Sequence, residues 1–161
     1  LVSDAVQHCV HVVSLDGGAP RRFGGRGDGP GELNFPGALA VDGSGQVYVN
    51  DAMNFRIQVF SPELEPRLAF GGPGDGPGSL SRAKGIAVDA DGVIYVVEGY
   101  FDVVQAFDGQ GQLLGVFGGN GTGPGRFWLP AGAAIDASHR LYVADTWNER
   151  VQVFALDRRA P

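Results

Sequence analysis

The stretch Phe70-Gly71-Gly72-Pro73-Gly74-Asp75-Gly76-Pro77-Gly78 decides the fold, because its two motifs, Phe-Gly-Gly and Gly-Pro-Gly, recur along the chain at one fixed interval. Phe-Gly-Gly triplets begin at Phe23, Phe70 and Phe117, so that 70 − 23 = 117 − 70 = 47. Gly-Pro-Gly segments and an aspartate column keep this interval, and so does a valine column formed by Val2, Val49, Val96 and Val143. An uninterrupted internal repeat of this length is typical of stacked structural units.

Each unit contains four short segments with strand character. In the second unit these are Ala38–Asp42, Gln46–Asn50, Arg56–Phe60 and Arg67–Phe70. Polar and apolar residues alternate in Arg56–Phe60, and Gly- and Pro-rich turns separate the segments. Because one small sheet cannot cover both of its apolar faces, such units are stable when they stack on one another. The repeat therefore predicts an all-β fold made of four-stranded antiparallel β-propeller blades.

The repeated segments resemble a known family. Asp51–Phe60, Gly85–Val96 and Asp145–Phe154 are similar to the NHL repeat, and the resemblance covers nearly the whole chain. It implies a propeller that usually has six blades. It does not imply one function, because the family includes protein-binding, RNA-binding and enzymatic members.

The repeat predicts a single propeller segment over residues 1–161. Its blade units are approximately residues 1–24 (partial), 38–71, 85–118 and 132–157 (partial), joined by Gly/Pro-rich connectors. The strand count is three, four, four and three, or about three and a half blades. Such an arc leaves two apolar blade faces uncovered. We therefore expect either that the remaining blades belong to a longer chain or that copies self-associate through the open faces.

Composition narrows the function classes. With 43% hydrophobic and 19% charged residues the chain is globular, and its net charge of −6 disfavours nucleic-acid binding. No apolar run is long enough to span a membrane. A single cysteine, Cys9, excludes an internal disulfide. By analogy with the family we expect an extracellular, periplasmic or cell-surface, and thus secreted, protein.

An acidic column suggests either a structural motif or a cation site. Its members are Asp4, Asp51, Glu98 and Asp145. In two units the acid is followed by Asn and Arg, which are Asn54 and Arg56 in one and Asn148 and Arg150 in the other. An Asp–Arg pair with Asn capping a turn would fix the connection between the second and third strands. We interpret these residues as structural, and a cation site is the alternative. Val103 and Cys9 replace the arginine in the other two units.

His8 is the candidate metal ligand. The stretch Val2–Val12 resembles one zinc-ligand segment of the peptidyl-hydroxyglycine amidating lyases, with His8 at the ligand position. The further histidines that this resemblance implies are replaced by Gly37, Lys84 and Ala131. The alternative function is therefore a metal-dependent lyase or hydrolase with part of its site in missing blades. No nucleophile–base pair is recognisable, so a non-catalytic module is favoured and no cofactor is predicted, with zinc or calcium left open.

In an antiparallel meander, the loop between the second and third strands and the connector to the next blade emerge at the same end. This end carries the candidate ligand-binding residues Met53, Tyr100, Phe101, Trp128 and Trp147. Large apolar side chains on loops favour partner binding. The alternative is that Tyr100 and Trp147 cover the packing between blades. The sequence therefore predicts a binding or scaffold module that presents this loop face to a protein, peptide or glycan.

Overall fold

The computed structural model describes residues 1–156, which form β-strands joined by turns and two short 3-10 turns at Ala52–Asn54 and Thr146–Asn148. The strands are β1 (Val2–Asp4), β2 (Cys9–Val12), β3 (Arg21–Gly24), β4 (Pro36–Val41), β5 (Val47–Asp51), β6 (Arg56–Phe60), β7 (Pro66–Gly71), β8 (Ala83–Val88), β9 (Ile94–Glu98), β10 (Val103–Phe107), β11 (Leu113–Gly118), β12 (Pro130–Ile135), β13 (Arg140–Asp145) and β14 (Arg150–Ala155). The described residues include no helix that could serve as a membrane span.

Consecutive strands pair in antiparallel meanders and form four separate sheets. Blade 1 is β1–β3, blade 2 is β4–β7, blade 3 is β8–β11 and blade 4 is β12–β14. The first strands β4, β8 and β12 lie next to one another, so the sheets fan around a shared axis. The predicted β-propeller architecture is confirmed, with three, four, four and three strands in the described blades.

The first strand of blade 2 begins at Pro36, two residues before the predicted strand Ala38–Asp42, and β8 and β12 begin at the equivalent residues Ala83 and Pro130. A register shift follows each of these residues, and beyond it the strand pairs regularly with the second strand of its blade. A β-bulge of this kind leaves no mark in a period-two pattern, which is why the sequence placed the start later. The end of the last predicted unit, residue 157, lies outside the described residues.

Apolar clusters fill the seams between neighbouring blades. Val10, Ile57 and Val104 occupy one repeat column and are 0% exposed, whereas Val151 in the same column is 60% exposed. At the other end of the arc Val2 is 56% exposed, although its column equivalent in blade 2 is fully buried. A residue in these columns is buried only where a neighbouring blade covers it. We call these two uncovered surfaces the end faces of the arc.

The repeated Phe-Gly-Gly triplet has a steric explanation. Its first glycine ends the fourth strand with a positive φ, as at Gly71 (+101°) and Gly118 (+108°). A Cβ at either position would lie 2.6 Å from the buried side chain of the following connector, Leu80 or Phe127. Only glycine satisfies both the backbone angle and this close approach.

Candidate functional site

Loops and connectors meet at one end of the blades, as a meander requires. The backbone N–H of Met53 donates to the carbonyl of Asn34 (3.0 Å), and that of Trp147 donates to the carbonyl of Trp128 (3.1 Å). Each hydrogen bond joins a loop between second and third strands to the connector that precedes its blade. We call this end the loop face; it comprises residues 5–8, 25–35, 52–55, 72–82, 99–102, 119–129 and 146–149.

Four of the five predicted ligand-binding residues form two aromatic pairs on this face. The ring centroids of Trp128 and Trp147 are 5.2 Å apart, and those of Tyr100 and Phe101 are 5.0 Å apart. Tyr100 is 65%, Trp147 59% and Trp128 42% exposed. Their rings therefore contact one another while much of each residue stays accessible. We call Tyr100, Phe101, Trp128 and Trp147 the aromatic patch.

Asp102 joins the two aromatic pairs. Its Oδ1 accepts a hydrogen bond from the backbone N–H of Leu129 (2.6 Å), and its Oδ2 accepts one from Asn120 Nδ2 (2.8 Å). The loop that carries Tyr100 is thereby fixed to the connector that carries Trp128. The fifth predicted residue, Met53, is 54% exposed on the corresponding loop of blade 2 and lies outside the aromatic patch.

The acidic column forms the predicted Asp–Arg pairs in blades 2 and 4. Asp51 is fully buried, and its Oδ2 accepts hydrogen bonds from Arg56 Nε (2.8 Å) and Asn54 Nδ2 (2.9 Å). Blade 4 repeats this geometry with Asp145, Asn148 and Arg150, where the Arg–Asp distance is 2.7 Å. Burial alone would raise the pKa of the Asp145 carboxyl, but hydrogen bonds from the backbone N–H of Trp128 and from the side chains of Asn148, Arg150 and Gln152 hold it below the usual range.

The arginines also reach the connectors, which sequence reasoning did not foresee. Arg56 donates to the backbone carbonyls of Asp28 (2.7 Å), Gly29 (3.0 Å) and Glu32 (3.1 Å). Arg150 makes the equivalent three bonds to the connector before blade 4. We call each such arginine, with its aspartate, an arginine clamp. The clamps hold the connectors of the loop face in place.

A glutamine column completes this attachment and was also missed. Gln58 accepts a hydrogen bond from the backbone N–H of Gly31 (3.0 Å) and donates to the carbonyl of Glu32. Gln105 and Gln152 bind their connectors in the same way. These glutamines recur every 47 residues in the sequence, so the repeat itself carried the signal.

Blade 3 has no clamp, because Val103 stands where the arginine would be. Its column acid, Glu98, is fully buried and accepts hydrogen bonds from the backbone N–H groups of Arg82 (2.8 Å) and Tyr100 (3.1 Å). Burial raises the pKa of the Glu98 carboxyl, against the opposing effect of these bonds and of the cations Arg82 and Lys84. The loop of residues 99–102 lacks the 3-10 turn found in blades 2 and 4. This loop of blade 3 carries the two aromatic residues Tyr100 and Phe101.

The candidate metal ligand His8 lies in blade 1, as does a second histidine, His11. His8 precedes β2 with a positive φ (55°), is buried, and its Nδ1 accepts a hydrogen bond from the backbone N–H of Phe35 (3.2 Å). His11 lies with its Nε2 3.7 Å from Asp4 Oδ2 and 3.5 Å from Cys9 Sγ. Among residues 1–156 no three His, Cys, Asp or Glu side chains are arranged to hold a metal ion. Nothing in these contacts tests the expectation of no cofactor, with zinc or calcium left open.

A family model described as the NHL repeat matches residues 33–60 and 127–154. The chain carries NHL repeats. The two matched segments of this NHL-repeat chain are those that contain the arginine clamps of blades 2 and 4. The resemblance inferred from the repeated Asp, Asn and Arg residues is thereby confirmed.

Solved structures resemble the NHL-repeat chain in fold. A streptogramin B lyase matches with a TM-score of 0.68 and 14% identity over 98% of this chain and 51% of that chain. Virginiamycin B lyase from Staphylococcus aureus matches at 0.63, with 12% identity over 96% and 51%. A gluconolactonase from Xanthomonas campestris matches at 0.61, with 22% identity over 90% and 44%. The chain spans about half the length of these proteins, and identities this low show the propeller fold alone.

Proposed function

We propose that this NHL-repeat chain is a non-catalytic binding module whose aromatic patch recognises a protein or peptide segment. The observation that carries this proposal is the Trp128–Trp147 pair, whose rings are in contact although both residues are exposed on loops. Tryptophan and tyrosine side chains dominate binding hot spots because each removes a large apolar area from water. NHL repeats are generally protein-interaction modules.

The hydrogen bonds beneath the loop face support the same function. Asp102 holds the connector that carries Trp128, and the Arg150 clamp holds residues 122–126 of that connector. A surface that is already ordered loses less conformational entropy when it binds a partner. The patch therefore presents its rings in a fixed arrangement, as a scaffold module requires.

Peptide selection with matched variants tests this function. A phage-displayed random peptide library would be panned on the wild-type chain and on the double variant Tyr100→Ala/Trp147→Ala. Leu114→Ala is the control, because Leu114 is also 59% exposed but lies on β11, away from the loop face. We expect peptides that bind the wild type and the control and lose at least tenfold in affinity for the double variant.

The same three proteins would be applied to a glycan array. If glycans but no peptides bind the wild type, and the double variant loses this binding, the ligand of the aromatic patch is a glycan and not a peptide. Peptides and glycans that bind the double variant as well as the wild type would contradict the proposal.

The end faces are proposed to contact further blades of the same kind. Their exposed valines occupy columns that are fully buried at the internal seams. The partners are either the remaining blades of a longer polypeptide or other copies of this chain. A secreted or cell-surface location is proposed on the family analogy alone.

A metal-dependent lyase or hydrolase is the second candidate function. Lyases and a lactonase stand among the similar structures. His8 Nδ1 accepts the N–H of Phe35, so a neutral His8 carries its proton on Nε2 and would have to release it to bind a metal ion. Metal analysis of the purified protein discriminates the two functions. Stoichiometric zinc that is lost in His8→Ala would favour the enzyme.

A further inference from the structure

Blade 3 keeps the acceptors of an arginine clamp although it lacks the arginine. Each clamp arginine donates to three connector carbonyls, those of residues 28, 29 and 32 before blade 2 and of residues 122, 123 and 126 before blade 4. The 47-residue repeat places Asp75, Gly76 and Ser79 at these positions before blade 3. Val103 stands where the arginine would be and has no side-chain group that could donate to them.

The connector before blade 3 is folded like the two clamped connectors. The backbone N–H of Ser79 donates to the carbonyl of Gly76 (3.0 Å), and that of Leu80 donates to the carbonyl of Gly72 (2.9 Å), so two of the three internal hydrogen bonds of the clamped connectors are kept. Gln105 donates to the carbonyl of Ser79 (2.7 Å), as Gln58 does to its own connector. The acceptor carbonyls are thus held in place without the arginine.

A pocket lies where the arginine is missing. It has a volume of about 160 Å³ and is lined by Asp75, Gly76 and Pro77 of the connector and by Phe101, Val103, Gln105 and Val116 of blade 3. It belongs to the seam between blades 2 and 3, and the end faces contribute nothing to it. Two of the connector residues that line it are therefore those whose carbonyls face a guanidinium in the other blades.

The charges around the pocket favour a cation. Asp75 is exposed, and among the described residues neither its carboxylate nor its carbonyl has a hydrogen-bond or ion-pair partner. Glu98, which lies opposite Val103 in the sheet, is fully buried, and its described hydrogen bonds come from backbone N–H groups alone. The cations Arg82 and Lys84 act on Glu98, but neither lines the pocket. A positive group in the pocket would be attracted by both carboxylates.

We propose that this pocket binds the guanidinium group of an arginine side chain that belongs to the peptide partner of the aromatic patch. The carbonyls of Asp75, Gly76 and Ser79 accept its N–H groups, as the equivalent carbonyls accept those of Arg56 and Arg150. The Asp75 carboxylate supplies the counter-charge. Lysine is a poorer ligand, because its single ammonium nitrogen lacks the planar fork that reaches several acceptors at once.

Phe101 joins the pocket to the aromatic patch. It is one of the four patch residues, its ring contacts that of Tyr100, and it also lines the pocket. An arginine is attracted to the face of an aromatic ring, so Phe101 favours the same ligand as the carbonyls do. The proposal rests on the function proposed for the patch only for the source of the arginine, since neither Tyr100 nor Trp147 lines the pocket.

A small arginine derivative tests the pocket alone. N-acetyl-arginine amide would be titrated into ¹⁵N-labelled protein, and the backbone N–H signals of Gly76 and Gly78 would be followed by NMR. We expect saturable shifts of these signals. N-acetyl-citrulline amide is the matched control ligand, because its side chain has nearly the same shape and no charge, and it should bind at least tenfold more weakly.

Protein variants locate the binding. Val103→Arg supplies the missing clamp arginine, so it should abolish binding of N-acetyl-arginine amide and raise the midpoint of thermal unfolding above that of the wild type. Gly109→Arg is the matched control, because it adds the same charge in an exposed turn where a Cβ meets nothing within 4 Å, and its binding should be unchanged. Asp75→Asn, on the exposed connector, tests the counter-charge without filling the pocket and should weaken binding at least threefold.

Three results would overturn the guanidinium site. They are the absence of saturable shifts, equal binding of the arginine and citrulline derivatives, and equal binding of the arginine derivative to Val103→Arg and Gly109→Arg. The comparison of the two derivatives uses the wild-type protein, so it decides the matter even if Val103→Arg fails to fold.

The peptides selected on the aromatic patch test the source of the arginine. We expect them to contain arginine and to bind Val103→Arg at least tenfold more weakly than Gly109→Arg. Peptides that lack arginine, or that bind both variants equally, would overturn this proposal and leave the function of the patch standing. If no peptide binds the patch but the arginine derivative binds both the wild type and Tyr100→Ala/Trp147→Ala, the function of the patch fails and the guanidinium site stands.

Discussion

The Asp102 carboxylate accepts a hydrogen bond of 2.6 Å from the backbone N–H of Leu129, although 27 residues separate the two in the chain. Both residues have positive φ, +57° for Asp102 and +46° for Leu129, in the left-handed region that costs free energy for residues other than glycine. The hydrogen bond offsets part of this cost and closes the seam between blades 3 and 4. His8 and Phe35 make the equivalent contact between blades 1 and 2.

Asp102→Ala should destabilise the arc by about 2 kcal/mol, because a charge-assisted hydrogen bond is lost and the N–H of Leu129 is left without its acceptor. Urea unfolding followed by tryptophan fluorescence measures this change. Asp102→Asn is the control, since an amide oxygen can still accept the hydrogen bond. Its free energy of unfolding should decrease clearly less than that of Asp102→Ala. Equal losses in the two variants would show that the hydrogen bond is not the cause.

Arg56→Met should destabilise the protein by about 3 kcal/mol, because it leaves the fully buried Asp51 without its cation and frees three connector carbonyls. Arg140→Met is the matched control. Arg140 pairs with Asp136 at 2.7 Å on the surface, where an ion pair contributes little to stability. Chemical unfolding of both variants gives the comparison. An Arg56→Met variant as stable as Arg140→Met would contradict the clamp.

Glu98 should make stability depend on pH in a definite direction. Burial raises the pKa of its carboxyl in the folded protein above the ordinary value of 4.5, so the folded protein keeps this proton to a higher pH than the unfolded chain. Its contribution to stability is therefore complete below pH 4.5 and is lost as the pH rises through the folded pKa.

Glu98→Gln removes this titration. Wild type and variant would be unfolded with urea at a series of pH values from about 4 to about 7. The free energy of unfolding of the wild type, minus that of the variant, should fall as the pH rises. A difference that stays constant or increases over this range would contradict the raised pKa.

Val151→Asp should weaken self-association of the chain through the end faces. Val151 is 60% exposed in a column that is otherwise fully buried, so an aspartate there would be buried against a second copy. Size-exclusion chromatography with light scattering should show concentration-dependent association of the wild type and at least tenfold weaker association of the variant. Val6→Asp is the control, because Val6 is 84% exposed but lies on the loop face. A wild-type chain that stays monomeric at every concentration would refute the contact between copies.

The sequence predicted the architecture well because the architecture is local. Turn residues and period-two alternation repeat every 47 residues, and they specify short strands in fixed order. The Asp51–Arg56 pair could be predicted from the sequence for the same reason, since both residues flank one turn.

The connections between blades were harder to predict. Arg56 donates to the carbonyl of Asp28, 28 positions away, and the N–H of Leu129 donates to Asp102, 27 positions away. The second bond depends on left-handed backbone at Asp102 and Leu129, which their residue types do not predict. Nor did the sequence show that Glu98, one methylene longer than aspartate, would bind the N–H of Arg82. Side-chain length and backbone handedness, rather than pattern, decided these contacts.

Val103 leaves the seam between blades 2 and 3 without an arginine clamp, so this seam depends on its apolar cluster, on the amide of Gln105 and on the hydrogen bond from Asn50 to the carbonyl of Ala83. Hydrophobic stabilisation weakens on cooling, whereas the hydrogen bonds from Arg56 and Arg150 to the connectors at the two outer seams have no such dependence on apolar hydration. Near the freezing point the arc would therefore open first at its middle, as two pairs of blades, each still held together by its own arginine.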